Sequence, residues 1–163
     1  MEPLDVLVIM VALVSIATDL YRRRIYNVVL FPAVIIALTY RGIASGWTGV
    51  EEGLIGLAVG IGILLLPYVA GGVGAGDVKL LGTFGVCGGA VFALYTFLAG
   101  AIIGGVVSGF FLGREGKLLV ALKGACYSFL LPGGARVWMG ESGIKMPYGV
   151  MLCMGVLPVL LMR

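Results

Sequence analysis

The chain contains no histidine. That absence removes Ser-His-Asp and Cys-His catalysis and every histidine-ligated metal site at once. Cysteine is also scarce. Cys87, Cys126 and Cys153 stand far apart and form no CxxC, so there is no zinc knuckle, and each reads as a small apolar packing residue. Charge is the third shortage. Only 12% of the 163 residues are charged, against about a quarter in an ordinary soluble domain. No basic residue precedes the first apolar run, so that run reads as a retained helix and not a cleaved signal.

What fills the space is apolar. Hydrophobic residues make up 61% of the chain and the mean hydropathy is +1.15. Several uncharged runs approach or exceed the roughly 20 residues that cross a bilayer. The expected fold class is therefore an all-α polytopic membrane protein, built as one domain over 1–163 with the lipid bilayer as its surroundings. The 28 glycines are spread through the apolar segments. They mark no linker and suit helices whose backbones approach closely. The GxxxG spacings Gly56/Gly60, Gly100/Gly104 and Gly105/Gly109 read the same way.

Charges bound the spans. Residues 6–18 carry none and end at Asp19, which opens a short turn through Arg22, Arg23 and Arg24. A second span is expected over 25–40, a polar loop over 41–52 and a third span over about 53–70. Gly71 to Gly76 then lead to Asp77. The uncharged stretch 80–113 is too long for one ordinary span and short for two. Basic residues favour the cytoplasmic side. Arg22–Arg24 and the later cluster of Arg114, Lys117, Lys123, Arg136 and Lys145 share that side only if the stretch forms a hairpin. The expectation is a short helix at about 78–87, a break at 85–89 and a longer helix at about 90–112. A basic cytoplasmic segment at about 114–145 follows, with an interfacial helix in it, and then a last span at 146–162. The result is six transmembrane helices, the fourth short, with the N-terminus outside. All 11 basic residues except Arg41 and Arg163 then lie inside.

This topology places Asp19 and Asp77 at similar depth near the cytoplasmic face. Ionisable residues at such depth are costly and point to function. Two carboxyl groups sharing a partly dry site cannot both ionise easily, so they share one proton, as an aspartic peptidase requires. The glycines before Asp77 would let backbone approach an extended peptide, and Lys79 could orient or partly neutralise the pair. Other roles fit the same residues. Asp19 could pair with Arg22–Arg24, and Asp77 could cap the helix beginning at Val78. A small transporter or proton-coupled channel using both acids, or a non-enzymatic assembly component, also remains open. Ser15 lies one turn before Asp19 and reads as a packing or hydrogen-bonding residue.

Three local motifs narrow the choice. Gly74-Ala75-Gly76-Asp77-Val78-Lys79-Leu80 resembles the GxGD motif of the type IV prepilin peptidase family. Asp19-Leu20-Tyr21-Arg22-Arg23-Arg24-Ile25-Tyr26-Asn27 is similar to that family's first aspartate motif, with Tyr26 where many members have proline. Lys145-Met146-Pro147-Tyr148-Gly149 resembles its motif at the start of the last span. The resemblance implies Asp19 and Asp77 as the catalytic pair, with Asn27, Gly74, Gly76, Lys79, Pro147, Tyr148 and Gly149 binding substrate or supporting it. It implies a prokaryotic inner or cytoplasmic membrane enzyme. That enzyme removes the basic leader from type IV prepilin-like or preflagellin-like precursors near the cytoplasmic face. It calls for no cofactor or metal and no nucleic acid. The first loop is tiny and the paired CxxC motifs of larger members are missing, so the expected activity is cleavage without N-methylation. The chain is most similar to short members from tight-adherence pilus or archaeal systems. The Pro-Ala-Leu motif of presenilin-type GxGD proteases is absent.

Overall fold

The computed structural model describes residues 3–22, 26–114 and 148–162. These residues fold into five helices: α1 Pro3–Arg22, α2 Asn27–Val69, α3 Ala75–Gly88, α4 Ala90–Arg114 and α5 Tyr148–Leu161. There is no strand among them. The basic segment beyond Arg114 lies outside the described residues, as do Arg23, Arg24, Lys145, Met146 and Pro147.

Helix α1 shows how the chain sorts its side chains. Leu4, Val8, Val11, Ala12, Ser15 and Asp19 are buried and recur at helical spacing, so they form one stripe. Val6, Met10, Leu13 and Leu20 point outward. A water-soluble helix puts apolar residues inside and polar ones outside. Here the outer face is apolar, and the buried stripe carries a hydroxyl and a carboxyl. That arrangement suits a helix surrounded by lipid.

Helix α2 corrects the expected loop at 41–52, because those residues are helical. A straight helix of 43 residues would reach about 65 Å, roughly twice the hydrocarbon thickness. The chain instead folds back at Gly46, whose φ of 64° and ψ of −145° break the helix. Glycine meets that left-handed φ without a Cβ penalty. Across the bend, Arg41 pairs with Glu52 at 3.2 Å, and Leu38 packs against Gly53. The composition of 41–52 misleads because its polar residues, most of them exposed, sit on a bend with helix on both sides.

The expected count of six spanning helices is not reproduced as six separate elements. Three helices, α1, α2 and α4, are long and apolar enough to cross a membrane. Helices α3 and α5 have 14 residues each. The short helix expected at about 78–87 is α3, and the expected break falls at Gly89, whose φ is 89°.

Helix α3 is the hub. Every residue from Asp77 to Cys87 except Lys79 is buried, and α1, α2, α4 and α5 all pack on it. Its contact with the second arm of α2 is backbone on backbone. A Cβ on Gly60 would lie 2.6 Å from the Leu81 carbonyl oxygen, and one on Gly56 would collide with the Gly85 carbonyl. The Gly100/Gly104 pair plays the same part for α4, facing Leu152 and Met151 of α5. At Gly105 and Gly109 no described atom lies within 4 Å of a Cβ position.

Candidate active site

Asp19 occupies the last turn of α1, at the end of its buried stripe. Asp77 occupies the first turn of α3. The residues before Asp77 explain how it gets there. Helix α2 ends at Val69, the chain turns through Gly71 with φ 84°, and Gly74 adopts extended backbone as the N-cap of α3. Gly74 N–H donates to Asp77 Oδ2 at 3.2 Å, while Asp77 N–H donates back to the Gly74 carbonyl at 3.1 Å. This closed turn fixes the carboxyl at the positive end of the helix.

The structure brings the two acids together. Asp19 is 8% exposed and Asp77 9%, on the packed helices α1 and α3, and Asp77 lies within electrostatic reach of Asp19. Carboxylates are seldom buried to this degree. Helix α5 closes a third side. Cys153, fully buried, lies within electrostatic reach of both acids. Gly149, one turn earlier on the same face, is buried as well. Sequence alone reads Cys153 as a packing residue. Its position four residues after Gly149 in the last motif is the one signal that could place it beside the acids. Ser15 is 2% exposed, and its Oγ has no hydrogen bond among the described residues.

The family of the chain is settled by its sequence as a whole. The type IV leader peptidase family matches residues 6–109, which is more than half of the chain and carries both buried aspartates. This chain belongs to the type IV leader peptidase family. It is accordingly a membrane protein with a peptidase-type, hydrolytic function. No curated protein and no solved structure gives a significant match.

The remaining residues of this leader peptidase fall into two groups. Lys79 follows Asp77 by two positions, so on a helix it points to a different face. It is exposed, and its Nζ donates to Asn27 Oδ1 at 3.1 Å. This bond links the start of α2 to the helix that carries Asp77. Gly74 is exposed and Gly76 half-buried, both on the approach to the acid. Pro147 lies outside the described residues, and Tyr148 begins α5. Among the described residues, no three Cys, Asp or Glu side chains cluster as a metal site would require.

Proposed function

We propose that this leader peptidase is an aspartic endopeptidase whose catalytic pair is Asp19 and Asp77. The observation that carries the reading is the pairing itself. Two carboxyl groups from separate helices, each less than a tenth exposed, stand within electrostatic reach of one another. A packed membrane bundle gains no stability from that arrangement, since two nearby acids in a dry site disfavour each other's ionised form. It gains a shared proton.

In the proposed reaction, the ionised carboxylate takes a proton from water as the water oxygen bonds to the scissile carbonyl carbon. The protonated carboxyl donates to the carbonyl oxygen, giving a neutral tetrahedral diol. A proton then passes to the amide nitrogen as the C–N bond breaks. The leader leaves with a carboxyl terminus and the mature chain with an amine.

The proposed substrate is a type IV prepilin-like or preflagellin-like precursor with a short basic leader, a glycine at the cleavage point and an apolar helix beyond it. The proposed setting is a prokaryotic inner or cytoplasmic membrane. The chain would cross it six times with the N-terminus outside, and the acids would lie near the cytoplasmic face. The fold-back at Gly46 supports counting α2 as two crossings, and the shortness of α3 supports a fourth helix that ends inside the bundle. The test is cleavage of a pilin precursor in membranes by the wild type, Asp19→Ala and Asp77→Ala. Loss in both variants is expected, and full activity in either would sink the assignment. Ion or solute flux in liposomes without proteolysis, lost when either acid is neutralised, would favour a transporter.

A further inference from the structure

We propose that Arg41 is a positioning residue for the aspartate pair: by capping the far end of α3, it fixes where Asp77 stands against Asp19. The proposal deepens the peptidase reading and rests on it for its kinetic consequence, but not for its geometric one.

Arg41 sits in the first arm of α2, just before the bend. Its guanidinium crosses to the C-terminal end of α3. Nε donates to the Val86 carbonyl at 2.7 Å, Nη2 donates to the Cys87 carbonyl at 3.1 Å, and Nη1 meets Glu52 Oε2 at 3.2 Å. The side chain is 11% exposed. Gly53 makes room for it, since a Cβ there would lie 3.1 Å from Arg41 Cδ.

The length of α3 explains the need. Fourteen residues span about 21 Å, less than the roughly 30 Å of hydrocarbon. The last turn of α3 lies beside the bend of α2, at Arg41. The last carbonyls of a helix have no partners within it. The Arg41 fork satisfies two of these carbonyls and sets a positive charge at the negative end of the helix. Glu52 balances that charge.

Positioning follows from how α3 is held between its ends. Against α2 it sets Gly82 and Gly85 beside Gly56 and Gly60, with the Leu57 and Ile61 side chains packed over Gly82. That packing holds α3 against α2 along its middle, and directed polar bonds act at its two ends. Polar links then set the axial position: Lys79 to Asn27 at the Asp77 end, and Arg41 to the last-turn carbonyls at the other. A planar guanidinium with donors in fixed directions holds two carbonyls at once, which a single ammonium cannot do equally well. Removing it frees α3 to shift, and Asp77 shifts with it.

The experiment has two arms. In a chain with Cys87, Cys126 and Cys153 replaced by alanine, Asp19→Cys and Asp77→Cys are crosslinked with thiol-reactive bis-methanethiosulfonate reagents of graded length. The length giving maximal yield reports the separation of the two positions. Adding Arg41→Met is expected to move that optimum or flatten it. An unchanged length profile overturns the proposal. In the native-cysteine enzyme, Arg41→Met is expected to lower kcat per folded molecule by about 10–100-fold, the scale of a misplacement near 1 Å, with KM little altered. Arg41→Lys should recover part of the loss, and it carries both comparisons if Arg41→Met does not fold. Unchanged kcat per folded molecule also overturns the proposal. If Asp19→Ala keeps cleaving, the peptidase reading fails, and the crosslinking profile alone decides for or against Arg41.

Discussion

The two ends of α3 are built in opposite ways. At its start, Asp77 is held by a turn of its own backbone and faces a second acid, Asp19, across the helix interface. At its finish, two backbone carbonyls receive two donors from Arg41, and Glu52 completes the charge balance. One end buries two carboxyl groups on packed helices. The other gives two of its last-turn carbonyls donors from one guanidinium. A fold built for stability alone would make both ends like the second. Under the proposed function, the Asp77 end gives up stability for chemistry and the Arg41 end is the anchor that makes this tolerable.

The sharpest way to break the comparison is to neutralise the acidic end. Asp19→Asn and Asp77→Asn should each lower the cleavage rate by about 10²–10⁴-fold, the usual weight of a general acid or base. Neither should lower the thermal unfolding temperature in detergent. A neutral amide relieves the burial of like charges, and in Asp77→Asn the amide oxygen can still accept from Gly74 N–H. Rate loss accompanied by equal loss of folded protein would mean that the acids are structural. The reverse pattern is expected in the middle of the helix. Gly56→Ala and Gly85→Ala set a Cβ against backbone of the partner helix and should cost about 1–3 kcal/mol or more. Gly62→Ala, with nothing within 4 Å of its Cβ, should be neutral or stabilising by up to about 1 kcal/mol. Unfolding midpoints of the three variants side by side test whether glycine matters by contact or merely by abundance.

The acidic end is legible in the sequence and the basic end is not, for a physical reason. Asp19 terminates an uncharged run and Asp77 follows a glycine-rich stretch, so each announces itself locally. The buried stripe of α1 follows from helical spacing alone. Arg41 announces the wrong thing. With Gly42, Ser45, Gly46, Thr48, Glu51 and Glu52 around it, local composition spells a solvated loop. Its carbonyl partners lie 45 and 46 positions away, and no local pattern encodes a contact over that separation. Cys153 escapes notice on similar grounds: a cysteine in an apolar helix looks like packing until the helix is seen beside the acids. The bend at Gly46 is hidden because the chain makes it with helix on both sides.

Between the two ends in strength stands the Lys79–Asn27 link. Both side chains are exposed and the bond is 3.1 Å long, so its contribution should be that of an ordinary hydrogen bond, about 0.5–1.5 kcal/mol. Lys79→Met and Asn27→Ala should each lose this amount in unfolding measurements, and the double variant should lose no more than either single one. Additive losses would show that Lys79 and Asn27 act on different partners, and would leave the axial position of α3 to Arg41 alone.

The smallest effect belongs to Glu52. Its side chain is 72% exposed while that of Arg41 is 11% exposed, so the ion pair joins a solvated carboxylate to a shielded guanidinium. Pairs with one partner in solvent contribute about 0–1 kcal/mol. Glu52→Gln keeps the shape and removes the charge. The guanidinium keeps its two carbonyl acceptors, so α3 stays where it is and cleavage proceeds at the wild-type rate. This separates two ways in which the far end of the helix could work. If capping by directed donors holds α3, Glu52→Gln leaves both cleavage and unfolding nearly unchanged. If the neutralised charge of Arg41 is what matters, Glu52→Gln approaches Arg41→Met in both measurements, and the fork geometry at Val86 and Cys87 loses its claim to set the position of Asp77.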